Sequence, residues 1–219
     1  MKNLRLVLSL FGRAIAAIWQ DLWTMLVVDA LWLLSNLLII PGPPATFALT
    51  AYCNGIAAGE PLDHLDYWRY FKNSWGIAWK WGAANILVLA FLAGDFYITN
   101  QAQDFTGKKL LLGIYLGLGV IWLVLQLFAL PFLYEQKEMK IRQAWGNSQV
   151  LLAGNPGFML ILLVMLVLVL LIGIPLFALT IFFGPVLTSL VANLTVKDRI
   201  SRSKMNIEKI KVEEVTNAA

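Results

Sequence analysis

The sequence predicts an all-α fold, a polytopic transmembrane helical bundle of about six membrane-entering helices preceded by an N-terminal amphipathic helix. Three observations lead there. Of 219 residues, 59% are hydrophobic and 14% charged, against about 45–50% apolar and about 25% charged in an ordinary soluble domain. The excess is gathered into stretches near or beyond the roughly 20 apolar residues that cross a bilayer core of about 30 Å. Lysine and arginine fall between those stretches in a pattern that one topology explains.

Lys2 and Arg5 precede a leucine-rich run, as in a secretory signal, but Arg13 interrupts the run too early. Leu4, Leu8, Phe11, Ile15 and Ile18 recur at helical spacing, with Lys2, Arg5, Arg13 and Gln20 elsewhere around the turn. Residues 1–20 are therefore expected to form a retained helix along the membrane interface.

The apolar segments that follow are residues 22–40, 44–58, 75–98, 110–134 and 157–194. As one helix the last would be about 57 Å long, nearly twice the bilayer core. Gly173, Pro175, Gly184 and Pro185 offer it breakpoints, so a hairpin broken at Gly173–Pro175 is expected, with Gly184-Pro185 opening the last helix. The segment 44–58 reaches only about 22 Å as a helix, which makes it a short span or a re-entrant helix.

Cations decide the sidedness. Three lie before the first span (Lys2, Arg5, Arg13), three at Arg69, Lys72 and Lys80, three in the 135–156 loop (Lys137, Lys140, Arg142) and six after residue 196. Only Lys108 and Lys109 remain, between the third and fourth segments. Such residues favour the cytoplasmic side. One topology satisfies this: both termini cytoplasmic in an inner membrane, with 44–58 returning inward. Residues 1–196 then form a single transmembrane domain, and 197–219 a basic, then polar, flexible cytoplasmic tail. Trp19, Trp23, Trp75, Trp79 and Trp81 are expected as interfacial anchors, while Trp32 and Trp122 lie deeper, where packing is the commoner role and ligand stacking the rarer.

Between the second and third segments, Pro61 suits a helix's first turn, and Leu62, Leu65 and Trp68 share a face beside Arg69 and Lys72. This is a candidate cytoplasmic docking helix, or one that lies against the membrane.

The chain resembles the YesL-like family of bacterial membrane proteins, often encoded beside carbohydrate uptake transporters. The likeness rests on Pro44-Ala-Thr-Phe-Ala-Leu49, on Gly59-Glu60, and on Asp66-Tyr-Trp-Arg-Tyr-Phe-Lys-Asn73. Pro43 stands where the family usually has glycine, and Asn54, Ala57 and Ala58 where it usually has basic residues. The resemblance implies a link to carbohydrate uptake.

Chemistry has few places to reside. No nucleophile triad, phosphate-cradling loop or cysteine cluster is present in the sequence, so an enzyme is not expected. His64 beside Asp63 and Asp66 is too thin for a metal site, and no metal or other cofactor is assigned. The tail mixes cations with Asp198, Glu208, Glu213 and Glu214, which suits anionic lipid headgroups better than nucleic acid. Polar groups at membrane depth are Asp29 and Asn36, Asn85, and Gln126. Asp29 and Asn36 lie seven residues apart, nearly on one face with Trp32 between them. A mid-membrane carboxylate is expected to face the bundle, paired or neutral, with Asn85 or Gln126 as its partner.

Two function classes follow. The first is an accessory or regulatory membrane component that binds a transporter or other protein at the cytoplasmic face. The second is a small transporter or substrate-binding membrane protein using Asp29, Asn36, Asn85, Gln126 and Trp32 as an intramembrane polar site. Besides protein partners, the lipid bilayer and a second copy of the chain are compatible neighbours. Gly184-Pro-x-x-Thr188 repeats Gly42-Pro-x-x-Thr46, as an internal pseudo-symmetry would.

Overall fold

The computed structural model describes residues 2–173 and 177–217, with side-chain burial defined through residue 172 and from 183 to 208. Every regular element among the described residues is an α-helix: α1 (Lys2–Gln20), α2 (Leu22–Leu37), α3 (Gly42–Ala58), α4 (His64–Asn73), α5 (Trp75–Gln101), α6 (Lys108–Tyr134), α7 (Ile141–Gly154), α8 (Pro156–Gly173) and α9 (Phe177–Asn217). The expected break at Gly173–Pro175 involves residues 174–176, which lie outside the described residues.

Two helices, α5 and α6, are each long and apolar enough to cross a membrane, and the number rises to four if each of two sharply bent pairs counts as one span. Those pairs are α1 with α2, bent by 99°, and α7 with α8, bent by 101°. The chain is thus a helical membrane protein by length and composition.

At the centre stands α3. Ala45, Ala48, Ala51 and Gly55 give it a spine of small residues, and α2, α4, α5, α6 and α9 all pack around it. Small side chains let helix backbones approach closely, which is how helices associate where lipid removes the hydrophobic drive. The helix stops at Gly59, whose φ of 83° is a left-handed conformation that glycine adopts without strain. There the Glu60 N–H reaches the Gly55 carbonyl and the Gly59 N–H that of Ile56, closing a Schellman turn.

Several expectations change in three dimensions. α1 buries Val7, Leu10, Phe11, Ala14 and Ile18 against α8 and α9, leaving Leu4, Leu8 and Ile15 exposed. Its apolar surface is therefore wider than one stripe, with a face for the bundle and a face outward.

Pro61 precedes α4 rather than starting it; Asp63 is the N-cap, and Asp63 and Asp66 exchange reciprocal bonds in a capping box. α4 seats Tyr67 and Phe71 inward, with the Tyr67 hydroxyl donating to the Ala45 carbonyl at 3.4 Å and Ser74 Oγ to Pro44 at 3.3 Å. The chain therefore returns along α3 towards its start.

The 135–156 segment, read as a loop, contains α7, which folds back on α6. Ala144, Ser148 and Leu151 are buried at helical spacing, and Ser148 Oγ donates to the Leu125 carbonyl at 2.8 Å. Gly184-Pro185 does not open a helix either, because α9 starts at Phe177 and carries Pro185 inside. α9 continues past residue 196 to Asn217 without interruption.

Candidate functional site

Sequence position puts five residues into one intramembrane group, and folding distributes them over four places. Trp32 and Gln126 line a cavity of about 420 Å³ bounded by α2, α3, α5, α6, α8 and α9. Asp29 lies beside it, fully buried, and Asn36 and Asn85 make bonds elsewhere.

The fixed point of the cavity wall is Gln126. Its Oε1 accepts two indole N–H groups, from Trp81 at 2.7 Å and from Trp145 at 3.0 Å. An indole N–H can only donate, so both bonds require the amide oxygen on that side. Nε2 is buried and has no partner among the described residues. Trp81, expected as an interfacial anchor, is instead a structural partner of Gln126 and packs edge-on against Phe47 with ring centroids 5.6 Å apart.

Trp32 donates from Nε1 to Thr46 Oγ1 at 3.3 Å, and Thr46 Oγ1 in turn donates to the Gly42 carbonyl at 3.1 Å. Thr50 Oγ1 donates to the Thr46 carbonyl at 2.9 Å. Having given their protons to the backbone, these hydroxyls present lone pairs to the cavity. Pro131 and Pro185 also line it. A proline inside a helix removes the N–H that would have served the carbonyl four residues earlier, here that of Leu127, another lining residue. The wall thus offers acceptors at Thr46, Thr50 and the Leu127 carbonyl, set among Leu49, Leu123, Leu130 and Leu170, and none of its described residues has an ionisable side chain.

Asp29 does not meet Asn85 or Gln126. Its Oδ1 accepts the backbone N–H of Val186 at 3.1 Å, directly after Pro185. Pro185 brings no N–H of its own to the ladder of α9, and Asp29 accepts the next N–H as a capping side chain does at a helix start. Asn36 Nδ2 donates to the Trp32 carbonyl at 2.9 Å. Asn85 accepts from Trp122 Nε1 at 2.9 Å and donates to the Trp81 carbonyl at 2.9 Å, joining α5 to α6.

Below the cavity a polar chain runs to the surface. Asn193 donates to the Ser189 carbonyl at 2.9 Å and to that of Thr50 at 3.4 Å, and it accepts from Asn54 at 3.2 Å. Asn54 also donates to Glu135 at 2.9 Å, and Lys197 closes the chain with an ion pair to Glu135 at 2.6 Å. Burial pushes the Glu135 carboxyl upward, but the hydrogen bonds from Lys197 and Asn54 outweigh it and hold the group below the usual 4.5.

The candidate docking residues divide. Leu62 packs on the core beside Gly55, whereas Leu65 is 63% and Trp68 45% exposed. Trp68 stacks on Phe71 at 5.0 Å with Lys72 Nζ 5.4 Å above its ring, and Arg69 pairs with Asp66.

Sequence reasoning missed Trp145, Thr46, Thr50, Thr188, Ser189 and Asn193. For Trp145 a signal existed in its helical spacing with Ser148 and Leu151. The Gly-Pro-x-x-Thr repeat was a signal for Thr46 and Thr188, because both line the same cavity from α3 and α9.

No protein-family model matches the chain, and neither a curated protein nor a solved structure matches it.

Proposed function

We propose that this protein is a multi-pass bacterial inner-membrane protein of six membrane-entering helices, both termini cytoplasmic, that binds a small uncharged molecule inside its bundle. The cavity at Gln126 is the observation that carries the reading. At about 420 Å³ it falls within the roughly 300–1,000 Å³ of small-molecule sites, and its mostly apolar wall with a few convergent polar groups is the usual composition of such sites. A ligand suited to it has no formal charge, because none of the described lining side chains could pair with one. It carries a hydroxyl or similar donor for the lone pairs of Thr46 and Thr50. Binding alone, or binding as a step of transport, would use the same wall.

Trp32 and Trp81 line the cavity, so indole emission is the natural readout. Titration of the purified protein with uncharged hydroxyl compounds should give a saturable change that Thr50→Val weakens and Ala192→Phe, which fills the space, abolishes. Identical titrations in wild type and Ala192→Phe would refute a cavity ligand.

A second reading, an accessory component linked to carbohydrate uptake, draws on the YesL-like resemblance and on α4. That helix offers Leu65 and Trp68 outward beside Arg69 and Lys72. A photo-crosslinker at Trp68 that captures a transporter subunit in native membranes supports this reading; capture of lipid alone counts against it.

A further inference from the structure

We infer that α2 and α3 form a re-entrant hairpin whose tip, residues 37–41, ends inside the hydrocarbon of the bilayer instead of emerging on the far side. The inference rests on the membrane topology proposed above and concerns a surface that topology leaves open.

Length is the first argument. α2 has 16 residues and α3 has 17, about 24 and 26 Å of helix, each short of a core of about 30 Å. Depth is the second. The Pro43 ring lies against Gly82, so closely that a β-carbon on Gly82 would stand 2.9 Å from Pro43 Cγ. Gly82 is only seven residues into α5. The nineteen residues from Gly82 to Gln101 carry α5 about 28 Å further. The start of α3 therefore lies beside the first third of a helix that crosses. Ser74, immediately before α5, bonds the Pro44 carbonyl, so the start of α3 lies along the first two turns of α5 and not beyond them.

The tip itself gives the third argument. Hydrocarbon contains no water to satisfy a backbone donor, so an ordinary loop cannot sit there. Here no donor is left over. Leu38 N–H bonds the Leu34 carbonyl, Ile39 that of Asn36, Ile40 that of Leu38 and Gly42 that of Ile39, while Ala45 N–H bonds Pro41. The three remaining positions, Pro41, Pro43 and Pro44, have no N–H at all. Outward from this closed turn stand Leu37, Leu38, Ile39 and Ile40, each between 63% and 78% exposed, with no charged residue from Ala30 to Gly59. A turn emerging into water would need neither the missing donors nor four exposed aliphatic side chains. The prolines and aliphatics together match a lipid partner.

Single cysteines test the hairpin in the full chain, since the native Cys53 is fully buried. Leu38→Cys and Ile40→Cys should react with a membrane-impermeant maleimide at about a tenth or less of the Asp104→Cys rate, from either side of the membrane, as expected for thiols in hydrocarbon. Bimane attached at Ile40→Cys, in bilayers of lipids brominated on the acyl chains, should be quenched more by those lipids than by aqueous iodide. Rapid external labelling at Leu38→Cys and Ile40→Cys, or stronger quenching by iodide, overturns the hairpin. If Asp104→Cys itself is unreactive from outside while Asp63→Cys reacts, the topology fails and the hairpin with it. If Asp104→Cys reacts as expected and Ile40→Cys reacts equally, the hairpin alone fails.

Discussion

The Asp29 carboxylate and the Val186 backbone N–H are 157 residues apart in the chain and 3.1 Å apart in the fold. The bond joins α2 to the point in α9 where Pro185 disturbs the helix ladder, and Cys53 of α3 lies against the Val186 carbonyl at 3.9 Å. Three helices thus meet at one proline.

Asp29→Asn should keep this junction, because the amide oxygen still accepts the Val186 N–H. Asp29→Leu leaves that donor buried without a partner, a change that costs about 1–3 kcal/mol. Thermal unfolding in detergent should therefore rank wild type close to Asp29→Asn and well above Asp29→Leu. Equal melting of the two variants would remove the capping role.

Gln126→Leu strips the acceptor from two indoles at once. With Trp81 and Trp145 both unpaired, the loss should be about 2–4 kcal/mol, and α7 should loosen from α6. Hydrogen exchange over residues 141–154 would report that loosening, and unchanged protection there would contradict it.

Glu135 makes stability depend on pH. Its native pKa lies below the usual 4.5 because Lys197 and Asn54 favour the ionised form against burial. A lowered native pKa contributes stability that is fully present above the unfolded value and lost as pH falls through the native one. Melting temperature should therefore hold steady above about pH 5 and decline below the ordinary carboxylate range. Glu135→Gln should flatten this decline, and an identical acid profile in that variant would exclude Glu135 as its source.

Sidedness has its own measurement. Cysteines at Asp104 should react from outside in intact cells, whereas those at Asp63, Gln143 and Met205 should be protected. External reaction at Gln143 would place a cation-rich segment on the wrong side and overturn the topology.

A residue's place along the chain predicts that Asp29 and Gln126 are enclosed by helices, but not what they touch. Asp29 was assigned an amide partner and found a backbone N–H. Trp81 was read as an anchor because tryptophan near a helix end usually is one, yet the crossing of α5 and α6 turns its indole to Gln126. The dense cations of the 135–156 segment suggest a loop, while its three buried residues, of which Ser148 bonds α6, follow a helical spacing too short to stand out.

What the sequence determined by itself was the helical membrane architecture, because it follows from a quantity summed along the chain, apolar length against bilayer thickness. Tertiary structure decided the partners. Hydrogen bonds at membrane depth depend on which helix faces meet and at what height, and α3 fixes both by drawing α2, α5, α6 and α9 around its small residues. That packing alone brings Thr46, Gln126 and Thr188 to one cavity, since each helix's own 3.6-residue period says only which side chains share a face and never which face it will find opposite.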